Sequence, residues 1–344
     1  KIKGIENFNT INVTNMVAMF QLCEKLEYLD LTKFNTSNVT NMGAMFNKCH
    51  KLKSIKGIEN FNTSKVTNMS VMFQSCNELE HLDLSNFNTS NVDNMSCMFN
   101  VCNQFKEIKG LDNFNTNNVI SMRGMFGECI ELEYLDLSNF DTSNVIDMSY
   151  FTDKCHKLKM IKGIEKFNTN KVIEMKQMFS ECYKLEILDL SNFNTSNVTD
   201  MEMMFAKCHE LKVIAGIDNF NTSKVINMGG MFEECNELPY LDLSKFNTSN
   251  VINMSKMFAE CFELETLDIY NFDTSNTIYL NYMFYKCYKL REIKLFHTFN
   301  IDKNNSVNIE GIFEECNPNI NFNNIINNYI NQNKTTENKT IDLP

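Results

Sequence analysis

Apolar and polar positions follow one scheme along nearly the whole chain, and the stretch LEYLDLTKFNTSNVTNMGAMFNKC at 26–49 states it in full. Leu26, Leu29 and Leu31 stand apolar among polar neighbours, the near-alternation of a short strand. After Phe34 comes Asn35-Thr36-Ser37, whose side chains bond nearby backbone and so favour a turn. Val39 then points inward. Met42, Met45, Phe46 and Cys49 fall at i, i+3, i+4 and i+7, one face of a 3.6-residue period, which predicts a helix of about two turns. Asn41 precedes it, with Asn15, Asn68, Asn94, Ser121, Asp147, Asp200, Asn227 and Asn253 at the same place in other units. These are N-cap residue types.

The scheme recurs. Cysteines stand at 23, 49, 76, 102, 129, 155, 182, 208, 235, 261, 287 and 316, mostly 26 and 27 residues apart in alternation. A fixed period in this range means stacked supersecondary units with one continuous core. The 26-residue form reads LDLSNF and the 27-residue form IKGIENF, so the complete unit is a pair. Gly57, Gly110, Gly163 and Gly216 mark the extra residue and predict a bulge or tight bend beside the strand. The expected fold is an α/β solenoid of about twelve units at 1–316, with a parallel strand ladder on one face and short helices on the other. An Asn-rich cap or tail at 317–344 follows. At Tyr150-Phe151-Thr152 a Thr takes the place of the column Phe, which predicts a local packing adjustment. The chain opens at Lys1 within a repeat and without Met, which reads as a fragment or a mature piece.

A net charge of −11 disfavours phosphate backbones, so no nucleic-acid partner is expected. No apolar run is long enough to span a membrane, and no stretch reads as a signal peptide, which decides little for a chain expected to be a fragment. No nucleophile–base pair, Gly-rich phosphate loop or HExxH helix appears, and the cysteines form no CxxC pair. Catalytic residues, metal and cofactor are therefore all expected to be none. The cysteine column reads as buried free thiol. Cys97 lies off that column, at the place of Ala44 and Val71, and is the candidate reactive thiol. The Met and Phe columns read as core. The many Asn-x-Thr/Ser triplets read as an Asn/Thr ladder between units, and His50, His156 and His209 as cations near helix C-termini.

Two exposed strand columns carry the candidate ligand contacts. One runs Tyr28, Ser54, His81, Glu107, Tyr134, Met160, Ile187, Val213, Tyr240, Thr266, and varies as a partner-reading column would. The other runs Asp30, Lys56, Asp83, Lys109, Asp136, Lys162, Asp189, Ala215, Asp242, Asp268, Lys294. Its charges alternate, as self-pairing on a ladder requires. The alternation fails at Ala215, leaving Asp242 and Asp268 together with Tyr240 and Tyr270 close by. These four read as a candidate site for a cation, an amine or a glycan.

The repeated LxxLxLSNFNTSNVxNMSxMFxxC resembles the 26-residue-repeat branch of the BspA-like leucine-rich-repeat surface proteins, over about residues 1–316. The resemblance implies a leucine-rich-repeat solenoid, secreted or displayed on a cell surface, with an adhesive role. The expected partner is a protein or glycan on another cell or in a matrix. The alternatives are a self-assembling coat or filament protein and a cytoplasmic protein-binding scaffold.

Overall fold

The structure is a computed structural model that describes residues 2–294 and 307–318. The chain winds as a solenoid of stacked 26- and 27-residue coils. Among the described residues nine short strands mark one face: β1 (Tyr28–Asp30), β2 (Ser54–Lys56), β3 (Tyr134–Asp136), β4 (Met160–Lys162), β5 (Ile187–Asp189), β6 (Val213–Ala215), β7 (Tyr240–Leu241), β8 (Thr266–Asp268) and β9 (Glu292–Lys294). All pairings are parallel and in register, with Leu29 opposite Ile55 and Leu135 opposite Ile161. The parallel strand ladder expected from sequence therefore forms, but not as one continuous sheet. β1 pairs β2, β3 pairs β4 and β5 pairs β6, and only β7-β8-β9 is three-stranded.

The glycine of the 27-residue form causes the interruption. Gly57 follows β2 at φ +90° and leads into a 3-10 turn at Ile58–Asn60. A Cβ there would lie 2.5 Å from the backbone nitrogen of Thr32 in the preceding coil. Only glycine permits both the left-handed conformation and this approach. On the strand face the bend draws each 27-residue coil onto the coil before it and leaves it unpaired with the coil after it. It is the tight bend, not a bulge, of the two forms expected. Where two 26-residue coils follow each other, at Asp242 and Asp268, that bend is absent between them and a third strand joins.

The opposite face departs from the expected helices. Among the described residues the stretch 42–49 and its equivalents form successive β-turns. Met45 N–H bonds the Met42 carbonyl, Asn47 N–H that of Ala44, and Cys49 N–H that of Phe46. Ala44 (φ 55°) and Lys48 (φ 61°) are left-handed, as are their equivalents in other coils. The remaining amides reach the next coil: Met42 to Asn68, Ala44 to Ser70, Phe46 to Met72, Lys48 to Gln74. A helix of two turns leaves four N–H groups without partners. A neighbouring coil supplies acceptors for them, so the turn form wins. The residues expected as N-caps instead join a second parallel ladder of bridges from Asn15 to Asn308. Asn41 still serves its own turn, its Oδ1 accepting the Gly43 N–H at 2.9 Å.

One core runs the length of the stack. Val39, Met42, Met45, Phe46 and Cys49 are fully buried, as are their counterparts in the inner coils, while Val13, Met19, Cys23, Phe313 and Cys316 in the end coils are half-buried. Phe20, Phe46, Phe73, Phe99 and Phe126 stack at centroid separations of 5.4–5.9 Å. The column breaks where Thr152 stands. Phe151 meets Phe126 edge-on at 5.4 Å, and the stack resumes at Phe179–Phe205. Each core thiol donates to a backbone carbonyl one coil earlier, as Cys76 does to Phe46 at 3.3 Å. Buried Thr hydroxyls, from Thr10 on, form the expected ladder, donating to the Asn or Asp carbonyl of the next coil. Beyond Pro318, the expected cap or tail lies outside the described residues.

Candidate interaction surface

The strand face sorts the candidate residues into ordered columns. In the charge column each Asp caps the turn after its strand, as Asp136 Oδ1 accepts the Ser138 N–H at 3.0 Å. Its second oxygen faces the lysine of the following coil: Asp30–Lys56 at 3.3 Å, Asp83–Lys109 at 2.5 Å, Asp136–Lys162 at 2.6 Å and Asp268–Lys294 at 3.0 Å. The lysine and the Ser85 donors hold the Asp83 carboxyl down at about 2. Lys162, then Ser138, hold Asp136 well below the usual carboxylate range. Expected self-pairing therefore takes place wherever the column sets a lysine one coil after an Asp that it bonds: at Lys56, Lys109, Lys162 and Lys294.

Asp189 and Asp242 differ. The register partner of Asp189 is Ala215, and among the described residues no cation stands within 4 Å of either carboxylate. Both are lowered chiefly by the hydroxyls and amides of Ser191 and Ser244, with Lys245 adding a weaker pull on Asp242. Asp268 is not an unpaired neighbour of Asp242, as the sequence suggested, because Lys294 occupies it. The open position is instead the window Asp189–Ala215–Asp242. Tyr270 lies on the turn after β8, its N–H bonded to Asp268, outside the strand column.

Between β6 and β7 a cleft of about 460 Å³ is lined by Val213, Ala215, Gly216, Tyr240 and Asp242 among others. A matching cleft of about 440 Å³ lies between β2 and the next coil, with Lys56, His81, Asp83 and Lys109 in its wall. Both occur where a 27-residue coil stands apart from its successor. Within the varying column, Tyr134, Met160, Ile187, Val213 and Tyr240 are exposed by 45–63 %. They make an apolar stripe over five consecutive coils, ended on either side by Glu107 and Thr266. Tyr240 and Asp242 are thus brought together. Tyr28 and His81 stand several coils away on the same face. Sequence reading singled out the column but not the apolar run within it, which is legible as Tyr-Met-Ile-Val-Tyr once the units are aligned.

Cys97 is half-buried on the turn face, left-handed at φ 53°. Burial pushes its thiol up, opposed by Arg123 and aided by Asp147. His50, His156 and His209 are on turns, not at helix ends. His156, Tyr183 and His209 stack at 4.4 and 4.7 Å on three successive coils, and His50 Nδ1 meets Asn77 Oδ1 at 2.9 Å. A second exposed apolar column escaped notice in the sequence: Ile120, Ile146, Ile173, Ile226, Ile252 and Ile278, interrupted by Thr199. Among the described residues no group of three or more Cys, His, Asp or Glu side chains converges as a metal site. No helix among them is long and apolar enough to cross a membrane.

The sequence profile of a family described as "Mycoplasma protein of unknown function, DUF285" matches residues 1–107, 28–133, 125–213 and 209–329. No curated protein matches the chain by sequence. Among solved structures, a leucine-rich repeat protein from Bacteroides ovatus is similar at 18% identity and a TM-score of 0.45, over 88% of this chain and 68% of that one. One from Eubacterium ventriosum is similar at 17% and 0.46, over 89% and 81%. A leucine rich cell surface protein from Faecalibacterium prausnitzii is similar at 16% and 0.38, over 82% and 77%.

Proposed function

From the premise that this chain belongs to the DUF285 family, we propose that it is a non-enzymatic scaffold, displayed on a cell surface or secreted, that holds a protein or glycan partner along its strand face. The observation that carries this reading is the stripe Tyr134–Met160–Ile187–Val213–Tyr240. Single exposed apolar residues are ordinary, but a run of five on one face in successive coils marks an interaction surface. The short, in-register strands hold these side chains at fixed spacing, which lowers the ordering cost of binding. The test is adhesion of protein-coated beads to cultured epithelial cells and to extracellular matrix. The double variant Ile187→Glu/Val213→Glu is expected to lose adhesion while melting as the parent does. Adhesion equal in parent and variant, or absent in both, contradicts the reading.

A second reading, lateral self-association, draws on the isoleucine column. Its side chains are 40–48% exposed and repeat on a ladder of about 4.8 Å, a surface that a second copy could match. The chain itself uses Thr at this place in Thr40, Thr67 and Thr199. Light scattering of the parent against Ile146→Thr/Ile252→Thr decides it: a mass that falls in the variant supports it, and a monomeric parent removes it.

A further inference from the structure

We propose that the β6–β7 cleft receives a lysine or arginine side chain carried on an extended, apolar segment of a protein partner. The inference rests on the strand-face reading above and names where on that face, and to what chemistry, the partner binds.

Contrast within the molecule carries it. The two clefts share one origin and nearly one size. In the first, Lys56 is held by Asp30 and Asp83 by Lys109, so its charges are satisfied internally. In the second, the column lysine is replaced by Ala215, and Asp242 lines the cleft without a cation at salt-bridge distance. The other cations nearby are engaged: Lys212 with Glu186 at 3.1 Å and Glu237 at 3.5 Å, Lys245 with Asp218 at 3.7 Å. Ala215 also lies beside Asp189 across the β5–β6 register. A cation above Ala215 would therefore stand between two carboxylates, in the place the lysine fills at Lys56, Lys109 and Lys162.

The surroundings specify what bears the cation. Tyr240, 61% exposed, lines the cleft and supplies an aromatic ring beside it. Ile187 (63% exposed) and Val213 (48%) continue the apolar surface coil by coil. A free amine would leave this stripe uncovered. A chain segment with a Lys or Arg flanked by apolar residues covers it and supplies the missing charge, matching both shape and potential. The partner is thereby a protein, not a glycan.

The test uses the full chain and a capped decapeptide alternating Lys and Val, with its Glu-for-Lys counterpart, read by calorimetry at low salt. The Lys peptide is expected to bind and the Glu peptide not to. Ala215→Lys reproduces the arrangement of Asp136–Lys162, which this fold already accommodates, and is expected to weaken binding at least about tenfold. Ala215→Ser, neutral at the same place, is expected to bind as the parent does. Equal affinity in parent and Ala215→Lys overturns the proposal, as does equal binding of both peptides, or displacement of the Lys peptide by an equimolar linear triamine. Cell adhesion without peptide binding would sink this inference and leave the scaffold reading standing.

Discussion

The hydroxyl of Thr142 holds Asn168 twice, donating to its carbonyl at 3.0 Å and accepting its backbone N–H at 2.8 Å. Thr142 is 1% exposed, and the two residues lie 26 positions apart in adjacent coils. The contact joins one coil to the next through a side chain, a few residues beyond the β3–β4 strand pairing. Thr142→Val keeps the shape and removes both bonds. A buried polar group left without a partner costs about 1–3 kcal/mol. Urea denaturation is expected to show that loss for Thr142→Val and a smaller one for Thr142→Ser, which retains the hydroxyl.

The glycine bend predicts unequal results for exchanging glycine and alanine at two left-handed positions. Gly163 sits at φ +89°, and a Cβ there would lie 2.5 Å from Ser138 N. Gly163→Ala is expected to cost about 2 kcal/mol or more, since left-handed strain and a backbone clash add. Ala44 is left-handed at φ 55° without such a clash. Ala44→Gly relieves the strain while freeing the unfolded chain, and is expected to leave stability within about 1 kcal/mol. Thermal melts of the two variants read the difference.

Thiol labelling tests the core column. Burial pushes Cys129, Cys182 and Cys261 up to about 12, so they are expected to resist iodoacetamide until the protein unfolds. Cys316 is lowered, first by the neighbouring Cys287 side chain. It is expected to label before Cys97, whose thiol is raised by burial. Mass-resolved labelling of the native protein at pH 8 gives the order. Labelling of Cys97 first would restore it as the leading reactive thiol.

Asp153 is 5% exposed and has an unpartnered buried Oδ1. Burial raises its carboxyl to about 6, with Glu181 and Glu128 adding to the rise and Lys154 and Ser180 opposing it. A folded pKa above the unfolded value means that the ionised form disfavours folding. The cost is full above pH 6 and fades as pH falls toward 4. The chain uses Asn47 and Asn100 at this place in other coils. Asp153→Asn is therefore expected to raise stability by about 1–3 kcal/mol at pH 8, with the gain shrinking below pH 6.

The repeat, the apolar core, the strand ladder and the Thr ladder were legible in the sequence because each rests on a side chain recurring at one place. The turn face was not. Met42, Met45, Phe46 and Cys49 give the same spacing whether their amides close a helix or reach the next coil, and only the neighbouring backbone decides. The division of the sheet was half legible. Gly57 announced a bend, but which coils it draws together depends on the contact with Thr32. Ala215 was visible as a break in the charge column. The sequence placed the open carboxylates at Asp242 and Asp268, because the register that gives Asp268 its lysine is set by the extra 26-residue coil.

The most direct test of the charge column and its single gap is carboxyl titration by NMR of Asp136, Asp189 and Asp242 in the intact chain. Asp136, held by Lys162, is predicted to titrate clearly below both others, and Lys162→Ala to bring it up beside Asp189. If the three titrate together in the parent, the lysines do not engage their partners, and the window at Ala215 is no gap at all.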